Sequence, residues 1–205
     1  KIRKGDLCMI YFTSDLHFGH KNCLAYDNRN FKSIEEHDEY LIKQWNDKVG
    51  IDDEVWILGD VSWHNVTKTI EIFKRLNGIK KLCIGNHDKQ YLKNKDFRDL
   101  FAEICHYKEL EIGKDFIVLS HYPIPCFNRH YYGAYHLYGH VHTSFEWNMM
   151  EHDRYLMENL YSTSCEMYNV GCMLPYMDYT PRTLDQIIEG YKAWKEYNAK
   201  VNIDG

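Results

Sequence analysis

Five short runs of strand-forming residues in this chain each stop at a cluster of Asp, Asn or His, and no other feature of the sequence limits the fold as strongly. Leu7-Cys8-Met9-Ile10-Tyr11-Phe12 empties into Thr13-Ser14-Asp15-Leu16-His17, and Val55-Trp56-Ile57-Leu58 into Gly59-Asp60. Ile79 to Ile84 ends in Gly85-Asn86-His87-Asp88, Phe116-Ile117-Val118-Leu119 in Ser120-His121, and Tyr135-His136-Leu137-Tyr138 in Gly139-His140-Val141-His142. Runs this short, rich in β-branched and aromatic residues, read as buried strands. Helical signals separate the first three. Ser33-Ile34-Glu35-Glu36 is a capping box with Ser33 as N-cap and Glu36 at N3, and Ile34, Leu41, Trp45 and Val49 keep helical spacing as far as Gly50, which predicts a helix over about 33 to 49. Ile70, Phe73 and Leu76 mark an amphipathic helix stopped by Asn77-Gly78, and Lys89 to Phe101 reads as another, with Leu92, Phe97 and Leu100 on its apolar side.

The second half changes character. Cys105 to Ile112, the Gly113-Lys114 turn and Phe116 to Leu119 read as a β-hairpin, Tyr168 to Leu174 as a further strand, and Thr183 to Asn198 as a closing helix. Residues 144 to 165 are polar and Met-rich and carry no clear pattern. No linker-like tract or internal repeat interrupts the 205 residues, a length that buries a proper core, so residues 1–205 are expected to form a single domain. The order βαβαβα followed by mostly antiparallel β predicts an α/β fold built as a sandwich of two sheets.

Charge and cysteine usage narrow the class of function. Lys+Arg 25 against Asp+Glu 30 gives a net charge of −5, so the molecule offers no long-range attraction to phosphate backbones, and duplex nucleic acid is not an expected partner. The seven cysteines are odd in number and contain no Cys-x-x-Cys, which indicates neither a disulfide framework nor a cysteine zinc site and makes a reducing, cytoplasmic setting the expectation. No run approaches the roughly 20 apolar residues of a membrane span, and Lys1-Ile2-Arg3-Lys4 leads into a strand rather than an apolar signal core. Cys126 and Cys165 have no base in a recognisable arrangement and read as small apolar residues.

Twelve histidines, by contrast, suggest metal if they cluster. In an α/β sheet the C-terminal ends of parallel strands open into one crevice, where residues distant in sequence converge. Asp15, His17, Asp60, Asn86, His121, His140 and His142 would then form a mixed nitrogen and oxygen donor set, suited to Mn²⁺, Fe or Zn²⁺ rather than to thiolate-seeking metals. Seven donors exceed what a single ion with an open position needs, so two ions sharing a bridging carboxylate fit better.

The series Asp-x-His, Gly-Asp, Gly-Asn-His-Asp, His and Gly-His-x-His, complete and in order from Asp15 to His142, resembles that of the calcineurin-like metallophosphoesterase superfamily. The flanks Thr13 to Asn22 and Leu137 to His142 look like those of its small stand-alone bacterial and phage phosphoesterases, and Asn169-Val170-Gly171 with Tyr179-Thr180-Pro181 look like their closing strand. The resemblance implies a metallophosphoesterase-like αββα sandwich of two mixed β-sheets flanked by helices. It also implies roles: Asp15, His17 and His142 on a first metal, Asn86, His121 and His140 on a second, and Asp60 bridging them. His87 would protonate or stabilise the leaving alkoxide, with Asp88 orienting it. The cofactors would be two divalent ions, Mn²⁺ foremost, with Fe, Zn²⁺ or Ni²⁺ also compatible with these ligands. The activity implied is hydrolysis of a soluble phosphomonoester or phosphodiester, a small molecule or nucleotide, by attack of a metal-bridging hydroxide.

Departures from the family pattern exclude subtypes. Trp63 stands where purple acid phosphatases carry a tyrosine, and Gly59-Asp60-Val61-Ser62-Trp63-His64-Asn65 does not continue as in protein Ser/Thr phosphatases. Alternatives from the same chemistry are a nuclease or a cyclic-nucleotide phosphodiesterase, and from another class a non-catalytic scaffold, which would be expected to lose ligands where this chain keeps all of them. Arg29 and Arg129, in loops near the crevice, are candidate clamps for a phosphate oxygen, although an exposed arginine is an equally ordinary reading. His20, in the loop after the first motif, is a further candidate substrate contact, and Tyr131-Tyr132-Gly133-Ala134-Tyr135 reads first as packing and second as a base-stacking surface.

Overall fold

Alternation along the central strands divides the core in two. Val55 and Ile57 on one face, and Trp56 and Leu58 on the other, are fully buried, so the strand that carries them has apolar layers on both sides. The computed structural model describes residues 8–160 and 166–201; Leu7, Cys165 and the rest of 161–165 lie outside the described residues.

The first sheet is entirely parallel, in the order β1 (Ile10–Thr13), β2 (Glu54–Ile57), β3 (Ile79–Cys83), β4 (Phe101–Cys105). Helix α1 (Lys21–Tyr26) follows β1 and is not signalled by any periodicity in the sequence. Helix α2 (Ile34–Lys48) begins as its capping box predicts, with the Ser33 side chain accepting the Glu36 N–H, and α3 (Val66–Arg75) is capped by Asn65. Both helices cover the outer face of the sheet, where Leu41, Trp45, Ile72 and Phe73 pack on Val55, Ile57 and Leu82.

The expected helix over Lys89 to Phe101 is not a single element. A 3₁₀ turn (Asp88–Lys93) stops at Asn94, whose extended backbone and side-chain bond to the Phe97 N–H at 3.0 Å start the one-turn helix α4 (Lys95–Arg98), and Phe101 opens β4. An Asn that competes for the backbone is the physical reason the apolar spacing did not become a continuous helix.

The second sheet runs β5 (Tyr107–Ile112), β6 (Asp115–Ser120), β7 (Tyr135–Tyr138), β8 (Glu166–Asn169). The hairpin β5–β6 is antiparallel as expected, but β6–β7 and β7–β8 are parallel, so the sheet is mixed rather than mostly antiparallel. The unpatterned segment accounts for the difference: it contains α5 (Phe145–Leu160), the crossover that lets β7 and β8 run the same way. The last strand ends at Asn169, earlier than the predicted Leu174, and the chain turns before the closing helix α6 (Leu184–Val201).

The two four-stranded sheets, flanked by helices, form an α/β sandwich. Phe12, Trp56, Leu58 and Cys83 of the first sheet share one core with Val118, Leu137 and Tyr168 of the second. A fully buried Trp such as Trp56 typically costs about 3–5 kcal/mol when truncated to Ala. Among the described residues no helix is long and apolar enough to cross a membrane.

Candidate metal centre

The five motif-bearing strand ends meet because the loops after them are bonded to one another through the backbone. The N–H groups of Asp15, His17 and Phe18 donate to the carbonyls of Gly59, Asp60 and Val61 at 3.1, 3.1 and 3.2 Å, and Gly139 N–H donates to His121 O at 2.9 Å. The approach is close enough to require glycine. A Cβ on Gly139 would lie 1.9 Å from Ser14 Oγ, and one on Gly85 would lie 2.2 Å from Asp60 Oδ1.

Five of the seven predicted ligands sit in the left-handed region that non-glycine residues avoid: Asp15 (φ 54°), His17 (φ 50°), Asp60 (φ 55°), His140 (φ 71°) and His142 (φ 47°). Each costs on the order of 1–3 kcal/mol and persists only where the surroundings hold it, and such residues concentrate at functional sites.

The donor atoms converge. Asp15, His17 and His142 each offer one donor atom within 4.8 Å of the others, and so do Asp15, Asp60 and His121. Asp60 faces two ways, with Oδ1 at 3.6 Å from His121 Nε2 and Oδ2 at 3.8 Å from His17 Nε2. Asn86 Oδ1 lies 2.9 Å from His121 Nε2 and 3.0 Å from His140 Nδ1. All seven predicted ligands thus belong to one cluster.

Its electrostatics suit cations. Burial works to raise the Asp15 carboxyl, but the imidazoles of His142, His121 and His17 outweigh it and hold the group well below the usual range. Burial pushes Asp60 up to about 7, with the Asp15 and Asp88 charges adding to the shift against the pull of His121. Burial depresses His17, whereas for His142 the charges of Asp15 and Asp27 overcome burial and lift it to about 10. His17 Nε2 and His142 Nε2 face each other at 3.2 Å, where one cation could take both lone pairs. The outer nitrogens fix the tautomers: His121 Nδ1–H donates to Leu58 O at 2.7 Å and His142 Nδ1–H to the Asp27 carboxylate at 2.8 Å, which aims each Nε2 into the cluster. Buried carboxylates, an amide oxygen and imidazoles with fixed tautomers are a donor set that fits divalent cations.

A cavity of about 340 Å³ opens on the cluster, with His20, Tyr26, Trp63, His87 and Glu146 on its walls. His87 is half-exposed there, its Nε2 3.8 Å from Asp60 Oδ2 and its ring against Trp63, with centroids 4.0 Å apart. Asp88 does not reach the His87 ring as expected. Its buried carboxylate accepts the N–H groups of Gly85, Asp60 and Val61 at 2.7, 3.0 and 3.0 Å, which ties the β2 loop to the β3 loop and leaves it no role in orienting the imidazole.

Of the three candidate substrate contacts only His20 lines the cavity, stacked on Trp63 at 3.9 Å with planes 5° apart. Arg29 is 2% exposed and its guanidinium is fully engaged within the protein, so it is not a phosphate clamp. Arg129 is also not one: it lies over the Phe116 ring at 4.2 Å and 3.5 Å from Glu111, away from the cavity walls. Asp27, which holds His142, was missed because nothing in its local sequence points to a partner 115 residues away.

No family model matches the chain. Among curated proteins, it is 35% identical over 130 residues to the gene 66 protein of Mycobacterium phage L5, covering 55% of this chain and 62% of that one. It is 44% identical over 82 residues to an uncharacterised protein of Methanocaldococcus jannaschii, covering 39% and 47%. The chain therefore spans less than two thirds of the length of these relatives. Among solved structures, a protein of unknown function from Aquifex aeolicus superposes with a TM-score of 0.66 at 27% identity, over 89% of this chain and 99% of its own, so the two share a fold. A Pseudomonas putida nuclease MPE (18% identity, TM-score 0.40, 65% of this chain and 60% of its own) is a slighter likeness. So is Yfce, a phosphoesterase from E. coli (20%, TM-score 0.33, 64% and 69%), and both are too slight to bear on function.

Proposed function

We propose that the protein is a phosphoesterase dependent on two divalent cations, Mn²⁺ foremost, and that residues 1–205 form one metallophosphoesterase-type domain. Asp15, His17 and His142 would hold one cation, Asn86, His121 and His140 the other, and Asp60 would serve both. The observation that carries this reading is the orientation of Asp60, whose two oxygens face His121 and His17 from the middle of a cluster drawn from five strand ends. Cations bound there would polarise the phosphate oxygens and supply an activated water.

The chain's own groups do the rest. The strained loops fix the donors before anything binds, so little reorganisation is needed when charge develops at phosphorus. His87, within the cavity and in contact with the Trp63 ring, is the group able to pass a proton to the departing oxygen. The Asp60 carboxylate accepts the His87 backbone N–H at 3.0 Å, which keeps that residue's Cα beside the cluster. His20 and Tyr26, joined by a 3.1 Å hydrogen bond between Tyr26 Oη and His20 Nδ1, form the wall that would meet the ester's substituent.

Within the phosphoester class the cavity favours a diester. Its walls include Glu146 and, among the described residues, neither Lys nor Arg, so a dianionic monoester would find less charge compensation than a monoanionic diester. The test is hydrolysis of bis-p-nitrophenyl phosphate and p-nitrophenyl phosphate by metal-stripped protein supplied with Mn²⁺, with Asp60→Asn as control. Diester turnover that needs Mn²⁺ and disappears in the variant supports the proposal. Equal turnover by the variant would contradict it, and monoester turnover alone would reverse the diester preference.

A further inference from the structure

Arg29 is the least explicable residue of the chain if it is not a phosphate clamp. A guanidinium that is 2% exposed is costly unless every donor is used, and here the partners are specific. Nε and one terminal nitrogen donate to Asp27 Oδ2 at 3.0 and 2.9 Å. The terminal nitrogens also reach Asp15 O at 3.0 Å and Leu16 O at 3.2 Å. Another bond goes to His37 Nε2 at 3.1 Å. Arginine only donates, so that imidazole nitrogen is the acceptor and His37 Nδ1–H must donate to Asp38 Oδ1, 3.1 Å away. Asp38 in turn accepts the Gly19 N–H at 3.0 Å and pairs with His64 Nε2 at 2.7 Å. The inner face of α2 therefore braces Arg29 from behind.

On its other side Arg29 reaches the candidate centre by two routes. Through the carbonyls of Asp15 and Leu16 it holds the backbone that carries Asp15 and His17, both with positive φ. Through Asp27, itself only 7% exposed, it reaches His142 Nδ1, which lies 2.8 and 2.9 Å from the two carboxylate oxygens. Asn86, His121 and His140 are not among its partners, and the outer nitrogen of His121 is held by Leu58 O instead. Among the candidate ligands, the direct side-chain contact of the braced unit is thus to His142, and its direct backbone contacts are to Asp15 and the residue before His17.

We propose that Asp27, clamped by Arg29, is a positioning residue that fixes the tautomer and aim of His142 and thereby sets the affinity of only one of two cation positions, the one formed by Asp15, His17 and His142. The proposal rests on the dinuclear reading of the site. A ligating imidazole whose outer N–H is held by a carboxylate is a stronger and better directed donor, and loss of such a partner commonly costs about 10- to 100-fold in metal affinity. Two hydrogen bonds from Arg29 hold the Asp27 carboxylate in place so that it can play this part. The sequence supports the arrangement locally: α1 ends at Tyr26 with Asp27 as its C-cap, and Asn28 in the left-handed region (φ 54°) turns the chain so that Arg29 points back under it.

The experiment is calorimetric titration of metal-stripped full-length protein with Mn²⁺, comparing wild type, Asp27→Asn and His142→Ala, with thermal melting of each in the absence of metal. The expected result is two binding steps in wild type. Asp27→Asn weakens one of them by about 10- to 100-fold, the same step that His142→Ala removes, and leaves the other within about 3-fold, while metal-free melting falls because the buried Arg29 loses its charged partner. Asp27→Ser, which leaves room for a water in place of the carboxylate, repeats the comparison if the Asn variant does not fold. Two unchanged steps in the variant would overturn the proposal and leave the dinuclear reading standing. Parallel weakening of both steps would reduce Asp27 to a structural role, which also overturns it. A wild type that binds no Mn²⁺ would instead remove the dinuclear reading on which the proposal stands.

Discussion

The Asp88 carboxylate accepts the backbone N–H of Asp60 at 3.0 Å, and the same group holds Val61 and Gly85, so the loop carrying the doubly facing carboxylate hangs on a residue from another strand. This makes Asp88 a clamp on the site's backbone rather than a partner of His87. Asp88→Ala would strand three buried N–H donors, each worth about 1–3 kcal/mol when left unsatisfied. We expect it to lower the stability of the metal-free protein by at least about 2 kcal/mol in urea unfolding, and to lose metal with it. A variant of wild-type stability that lost only turnover would return Asp88 to the orienting role expected from the sequence.

His87→Ala should behave in the opposite manner. The ring packs on Trp63 and lies 3.8 Å from Asp60 Oδ2, beyond hydrogen-bond reach of any candidate ligand, and proton transfer by a positioned imidazole is typically worth about 10²- to 10⁴-fold. The expected outcome is a fall of that size in kcat with metal content by mass spectrometry equal to wild type. Loss of the metals in this variant would show that His87 supports the donors rather than the leaving group.

Gly139→Ala tests the packing of the strand ends. The added methyl would lie 1.9 Å from Ser14 Oγ and 2.6 Å from Asp15 Oδ2, neither of which can retreat through the buried backbone around them. Overpacking of this kind costs typically about 1–3 kcal/mol, and we expect a destabilisation of that order with displaced Asp15 and loss of turnover. An alanine variant with unchanged melting temperature and activity would mean that the loops are looser than described.

Away from the centre, His136 predicts how stability depends on pH. It is fully buried, donating from Nδ1 to Val118 O at 3.1 Å and accepting the Ile124 N–H at Nε2 at 3.0 Å, so no site remains for a second proton, and burial depresses it to about 4 from 6.5. Between those values the unfolded chain binds the proton and the folded protein does not. Its contribution is therefore intact above about pH 6.5 and is lost as the pH falls toward 4, about 3 kcal/mol in all. The stability difference between wild type and His136→Gln, measured by urea unfolding, should narrow by that amount from pH 8 to pH 4. A difference independent of pH would contradict the assignment.

The candidate ligands were legible in the sequence because each lies one to four residues beyond an apolar strand, so strand ends and donors are read together. The first sheet followed for the same reason, as did α2 with its Ser33 cap. What was not legible is what depends on contacts distant in sequence. The parallel β7–β8 pairing was hidden because α5 carries Phe145, Glu146 and Met149 on exposed turns and so lacks a clean apolar stripe. Asp27 carries no signal in the sequence and Arg29 reads as a candidate phosphate clamp or an exposed loop charge, since their partners are His142 far along the chain and backbone carbonyls that no side-chain pattern announces. Asp88 was read in the wrong role because adjacency to His87 suggested a side-chain contact, whereas its carboxylate turns back to three amides.

The central claim is that two cations held by these seven residues are needed for phosphoester hydrolysis. Its most direct test is turnover of bis-p-nitrophenyl phosphate by metal-stripped wild type as Mn²⁺ is added by the equivalent, with bound metal counted in parallel. The account predicts turnover that reaches its plateau only as the second equivalent binds. Hydrolysis that proceeds without added metal, or that is complete with the first equivalent, would contradict it.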